Sequence, residues 1–129
     1  MSEELIKNFS LIKEKYYDLQ SGKVSVSEFK EILLPFLTKI ISDRNYKKIL
    51  GDENIRSINL LLINIQDKFN AYEYQRDLGN DQAARQEQKN VVEVTTRIVN
   101  RLEDVIDTME KIKDIDKNQI TLKNEINET

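Results

Sequence analysis

Residues 72–82 read YEYQRDLGNDQ, and the fold turns on Leu78-Gly79-Asn80-Asp81 within them. Apolar residues recur at helical spacing on both sides of this turn. Upstream the stripe is Ile55, Ile58, Leu62, Ile65, Phe69 and Tyr72, with steps of 3, 4, 3, 4 and 3 residues, the period of one helix face. Downstream, three apolar columns follow the heptad: Val91, Ile98, Val105 and Ile112; Thr95, Leu102 and Met109; Val92, Val99 and Ile106. Gly79 suits a helix C-terminus, since glycine enters the left-handed region without a Cβ penalty, and Asp81 suits a fresh cap. The spacing predicts one helix, capped by Asp52, from after Gly51 to about Leu78, and another from Gln82 to at least Ile112. At ~1.5 Å per residue they measure roughly 40 and 45 Å. So short a connection makes them an antiparallel hairpin.

Three columns per heptad form a face wider than the two-column seam of a dimeric coiled coil. With the Thr/Leu/Met column at a, β-branched residues fill d, an arrangement that parallel dimers disfavour relative to larger bundles. The helix needs at least two neighbours, and the N-terminal part of the chain can supply them. Leu5, Phe9, Ile12, Tyr16 and Leu19 form a stripe behind the candidate N-cap Ser2, with Glu3 and Glu4 well placed against the helix dipole. Ser21-Gly22 ends it. Ser25-Val26-Ser27-Glu28 is a capping box, flanked by Val24 and Phe29 as a hydrophobic staple. The helix it opens carries Phe29, Ile32, Leu33, Phe36, Leu37, Ile40 and Ile41 inward, and Pro35 within it predicts a kink, or a break near Leu34. Asp43 to Leu50 reads as helical again, with Tyr46, Ile49 and Leu50 inward.

The expected fold is all-α and four-helix-bundle-like, a long antiparallel hairpin with two shorter N-terminal helices. Residues 1–115 make the bundle domain and 116–129 a weakly amphipathic tail. Ile112, Ile115, Gln119, Leu122 and Ile126 recover a helical spacing there, out of phase with the preceding helix. The tail is expected to dock on its own bundle or on a neighbouring subunit, through Leu122 and Ile126.

Composition narrows the function classes. The chain has 129 residues and no Cys, His or Trp. That excludes a disulfide frame, a zinc finger, a haem ligand, a thiol nucleophile and a Ser-His-Asp triad. A di-iron bundle fails too, because its Glu-x-x-His motif needs histidine. Lys plus Arg number 20 against 23 Asp plus Glu, a net charge of −3, which argues against a nucleic-acid partner. The acidic start Met1-Ser2-Glu3-Glu4 lacks the long apolar segment of a secretory signal. The longest uncharged run, Ser57 to Gln66, is far below the ~20 residues of a membrane span. A soluble, cytoplasmic chain is expected, or a virion component if the gene is viral. Sixteen Ile, 14 Lys and 12 Asn against three Ala and six Arg are the residues of A/T-rich codons, common in phages, viruses and low-GC microbes.

Four patterns invite a chemical reading. Tyr17 to Phe29 resembles an EF-hand loop in its second half, but Tyr17 and Leu19 stand where the first carboxylate ligands belong, and Ca²⁺ needs six or more oxygens. Glu28 and Glu31 have the Glu-x-x-Glu spacing of all-helical nucleotide pyrophosphatases without the matching acidic pair downstream. Glu103, Asp107, Glu110 and Asp114 form an acidic stripe, expected as a solvated face. Lys39, Arg44, Lys47 and Lys48 form a basic patch without aromatic interleaving. No catalytic, cofactor-binding or metal site is expected from these.

The unusual stretch is Leu60-Leu61-Leu62-Ile63, which makes the middle of its helix apolar nearly all round. Leu60 and Ile63 fall off the main stripe. Either this helix is central and the kinked second helix covers them, or they form a homo-oligomer contact. The sequence points to a non-enzymatic helical assembly or interaction protein, in a virion- or phage-associated setting. The alternatives are a small adaptor that sequesters a partner protein and, from a different class, a metal-dependent enzyme using carboxylates alone.

Overall fold

The computed structural model describes the backbone of residues 2–128 and the side chains of residues 3–111. The chain is all-helical: α1 (Ser2–Gln20), α2 (Val26–Ser42), α3 (Arg44–Leu50), α4 (Asp52–Asp77) and α5 (Asp81–Glu128). Among the described residues there is no strand. The Ser2 cap and the inward positions expected at Ile112, Ile115, Leu122 and Ile126 lie outside the described side chains.

The connections follow from the glycines and caps. At the end of α4, Gly79 adopts φ +74°, its amide donates to the Arg76 carbonyl at 3.0 Å, and the Asn80 amide donates to Gln75 at 3.0 Å. This Schellman pair closes the helix on its own carbonyls. Gly22 repeats it after α1, with φ +80° and bonds from Gly22 to Leu19 at 3.2 Å and from Lys23 to Asp18 at 2.8 Å. Two expected caps shift by one residue. Asn80, not Asp81, precedes α5, and its carbonyl accepts from the Ala84 amide at 2.9 Å. Gly51, not Asp52, precedes α4 and offers no side-chain cap. It is the single residue between α3 and α4 and must end one and begin the other, which places Asp52 and Glu53 in the first turn.

At Ser25 the cap takes a compressed form. The hydroxyl accepts from the Glu28 amide at 3.1 Å and donates to Glu28 Oε1 at 3.2 Å, so carboxylate and hydroxyl meet each other directly. α2 then continues through Pro35 to Ser42 without interruption. Pro35 and Glu31 are exposed, so the carbonyl deprived of a proline N–H is left on the wet side.

The core assembles these stripes. α4 packs most extensively on α5; α2 packs on α4, α1 on α2, and α1 also on α5. These four pairings run in a closed cycle from the first long helix to the last. α3 wedges among α2, α4 and α5 at one end. Phe29 and Phe69, both fully buried, meet across α2 and α4 with ring centroids 6.4 Å apart at 57°, a tilted aromatic geometry. α5 contributes Val91, Val94, Thr95, Ile98, Val99, Leu102, Val105 and Ile106 to the core. Thr95 is tolerated there because its hydroxyl donates to the Val91 carbonyl at 2.7 Å. In α3, Tyr46 and Leu50 turn inward as expected, whereas Ile49 stays exposed. Seven residues make under two turns, so only one narrow edge of α3 reaches the core.

Polar links fix the cycle. The Tyr16 hydroxyl bonds Thr96 Oγ1 between α1 and α5. Arg101 Nη2 donates to Asn54 Oδ1 at 2.8 Å, and Asn54 Nδ2 donates to the Leu50 carbonyl at 2.7 Å, joining α5, α4 and α3.

Candidate interaction surface

α4 presents two apolar faces. Its buried face is Ile55, Ile58, Leu62, Ile65 and Phe69. On the opposite side Leu60 is 63% exposed and Ile63 49%. α2 packs on α4 yet leaves Leu60 largely and Ile63 half exposed, and Ile63 borders a groove shared with Leu34, Lys30, Asp67 and Asn70. At 100° per residue, Arg56, Leu60, Ile63, Asp67, Tyr74 and Leu78 all project within an arc of about 60°. Tyr74 and Leu78 are also strongly exposed. Leu78 reads in sequence as the end of a helix, and no pattern in the sequence singles out Tyr74. A second stripe, half a turn from the first, becomes visible only once the first is assigned.

Charge at the middle of this surface is sparse: Arg56 stands on one flank, with Asp52 lining the same groove, and Asp67 on the other. Arg56 and Asp67 are exposed, and among the described residues neither forms an ion pair. Lys30, which shares the groove with Asp67, is held by Glu73 at 2.8 Å. Arg76 donates to Ser27 at 2.9 Å and lies over the Tyr72 ring.

The expected chemical patterns resolve into structural roles. The EF-hand-like stretch is the end of α1, a Schellman turn and the Ser25 cap. Glu31 is exposed and Glu28 belongs to the cap. The acidic stripe splits: Glu103 faces α1 and binds Lys13 at 2.7 Å, Asp107 and Glu110 are exposed, and Asp114 lies outside the described side chains. The hydrogen bond to Glu103 raises the Lys13 pKa above its ordinary value, opposed in part by desolvation. In the basic patch Lys39 binds Glu4 across α1 and α2 at 2.6 Å. That hydrogen bond, and then the charge, hold the Glu4 carboxyl below its usual range and the Lys39 ammonium above its own. Arg44, Lys47 and Lys48 are exposed. Burial pushes the Tyr46 hydroxyl up. Among the described residues no group of three or more Asp or Glu converges on a cation-sized space, and no helix is long and apolar enough to cross a membrane.

Of the four residues expected at an interface, Leu60 and Ile63 stand together on the open face of α4. Leu122 and Ile126 lie outside the described side chains. No protein-family model, curated protein or solved structure matches the chain.

Proposed function

We propose that the chain is a non-enzymatic helical assembly protein that works by associating with further copies of itself through the outer face of α4. The observation that carries this reading is the exposure of Leu60 and Ile63 at mid-helix, opposite a face already committed to the core. Burying two such side chains on association removes apolar area from water at about 25 cal/mol per Å². In this reading α1, α2, α4 and α5 act as a four-helix bundle, with α2 bent at Pro35, and present that face on a rigid helix. The Ile-, Lys- and Asn-rich composition supports a virion- or phage-associated setting.

The test is the mass of the purified chain by light scattering, with elemental analysis of the same peak. The wild type is expected as a discrete oligomer without stoichiometric metal. The Leu60→Glu/Ile63→Glu variant is expected as a monomer of 15.2 kDa with unchanged helicity. A helical variant that keeps the wild-type mass overturns the interface. A wild type that stays monomeric at every concentration favours the adaptor reading, and bound metal favours the carboxylate enzyme.

A further inference from the structure

The outer face of α4 is self-complementary in charge as well as in apolar spacing. Its central residues run Arg56, Leu60, Ile63, Asp67, with steps of 4, 3 and 4. That spacing reads the same in both directions, while the charges at its ends are opposite. A helix laid antiparallel on a copy of itself brings residue i opposite residue j with a constant sum of positions. With the two-fold axis midway between Leu60 and Ile63, Leu60 faces the partner's Ile63 and Arg56 faces the partner's Asp67. The symmetry generates each contact twice.

We infer that the second copy docks on α4 in this antiparallel register, with two apolar contacts at the axis and an Arg56–Asp67 pair closing each side. The inference rests on the self-association reading above and adds its geometry. Other registers lose the charge match. Moving the axis to Asp67 places that carboxylate opposite its own copy and Arg56 opposite the partner's Leu78. A parallel pairing sets Arg56 against Arg56 and Asp67 against Asp67, and like charges across a seam disfavour the wrong register. The groove between α2 and α4 is lined by Leu34 beside Ile63, an apolar surface that the partner's Leu60 would extend in this register. Asp67 sits on the rim of that groove, where the partner's arginine reaches it.

Charge reversal tests the register. Dimer dissociation constants are measured by analytical ultracentrifugation for the wild type, Arg56→Asp, Asp67→Arg, the double variant Arg56→Asp/Asp67→Arg, and Leu60→Glu/Ile63→Glu, with helicity followed by circular dichroism. All these positions are exposed, so the monomer fold is expected to survive. Each single reversal is expected to weaken the homodimer at least tenfold, by creating two like-charge contacts. The double reversal is expected to restore affinity to within about threefold, because the pairs re-form with their signs exchanged. An equimolar mixture of the two single variants is expected to form a heterodimer tighter than either homodimer. If the apolar variant dissociates while the single reversals leave affinity unchanged, self-association through α4 stands and this register is overturned. If the double variant is as weak as the singles, the antiparallel pairing is overturned. A wild type that never dimerises overturns both readings.

Discussion

Tyr16 and Thr96 hold the first helix against the last, and their hydroxyls can be deleted singly and together. Tyr16 is 8% exposed, and its oxygen also accepts the Gln20 amide at 3.3 Å. Thr96 donates its own proton to the Val92 carbonyl at 2.9 Å. Tyr16 is therefore the donor in the bond between them, which makes the two deletions unequal. In Tyr16→Phe, Thr96 keeps its bond to Val92 and loses only an acceptor role, a cost of about 0.5–1.5 kcal/mol. In Thr96→Val the branched shape survives, but the Tyr16 proton loses its acceptor in a part-buried position, where the Gln20 amide presents its nitrogen and must turn over to accept it. The expected cost rises to about 1–3 kcal/mol. The double variant strands nothing and should fall near the Tyr16→Phe value, roughly 1–3 kcal/mol short of additivity. Urea unfolding followed by far-UV circular dichroism, at one fixed protein concentration, reads these differences against a total stability of about 5–15 kcal/mol. Additive costs, or a Thr96→Val variant no weaker than Tyr16→Phe, would refute the donor assignment.

Truncating Phe69, which is fully buried against Phe29, should cost about 3–5 kcal/mol in the same unfolding assay; a loss under about 1 kcal/mol would mean that α2 does not pack there. The Glu4–Lys39 bridge predicts a pH signature, because the Glu4 pKa is lowered from 4.5 and that of Lys39 raised from 10.5. The contribution of a carboxylate with a depressed pKa is present above its unfolded value and lost as pH falls through the folded one. The lysine's contribution is present below its unfolded value and lost as pH rises through the folded one. Thermal melts of the wild type and Glu4→Gln should thus differ by a constant small amount between those limits and converge on either side. A difference that grows below pH 4 contradicts the assignment.

How much of this was legible depended on whether neighbours in sequence or neighbours in space decide the outcome. The five helical segments, the glycines at three of the four junctions and nearly every core residue of α1, α2 and α4 follow from spacing and turn chemistry, which are local. Ile49 misled because a short helix offers its periodic positions a core they cannot all reach. The caps at Asn80 and Gly51 were misplaced by one residue because a cap is defined by backbone angles, to which Asp52 and Asp81 are also suited. Lys13–Glu103 and Arg101–Asn54 join residues tens of positions apart, and no local pattern marks them. At the candidate surface Leu60 and Ile63 stood out because four consecutive large aliphatics break helical alternation. Arg56, Asp67 and Tyr74 carry no such mark. They acquire meaning only when α4's inward face is known and the outward one can be drawn.

The closed cycle of helix pairings also sets an order in time. A chain made from its N-terminus completes α1 long before the surface of α5 against which α1 rests. At roughly 5–20 residues per second, the interval between finishing Gln20 and finishing Ile106 is about 4–17 s. Through that interval Leu5, Phe9, Ile12 and Tyr16 can lean only on α2. Their last shelter is synthesised last. The nascent protein is thus a three-sided trough with an apolar floor until α5 lies down in it, and the moment of vulnerability to wrong partners falls during synthesis, before the finished molecule exists.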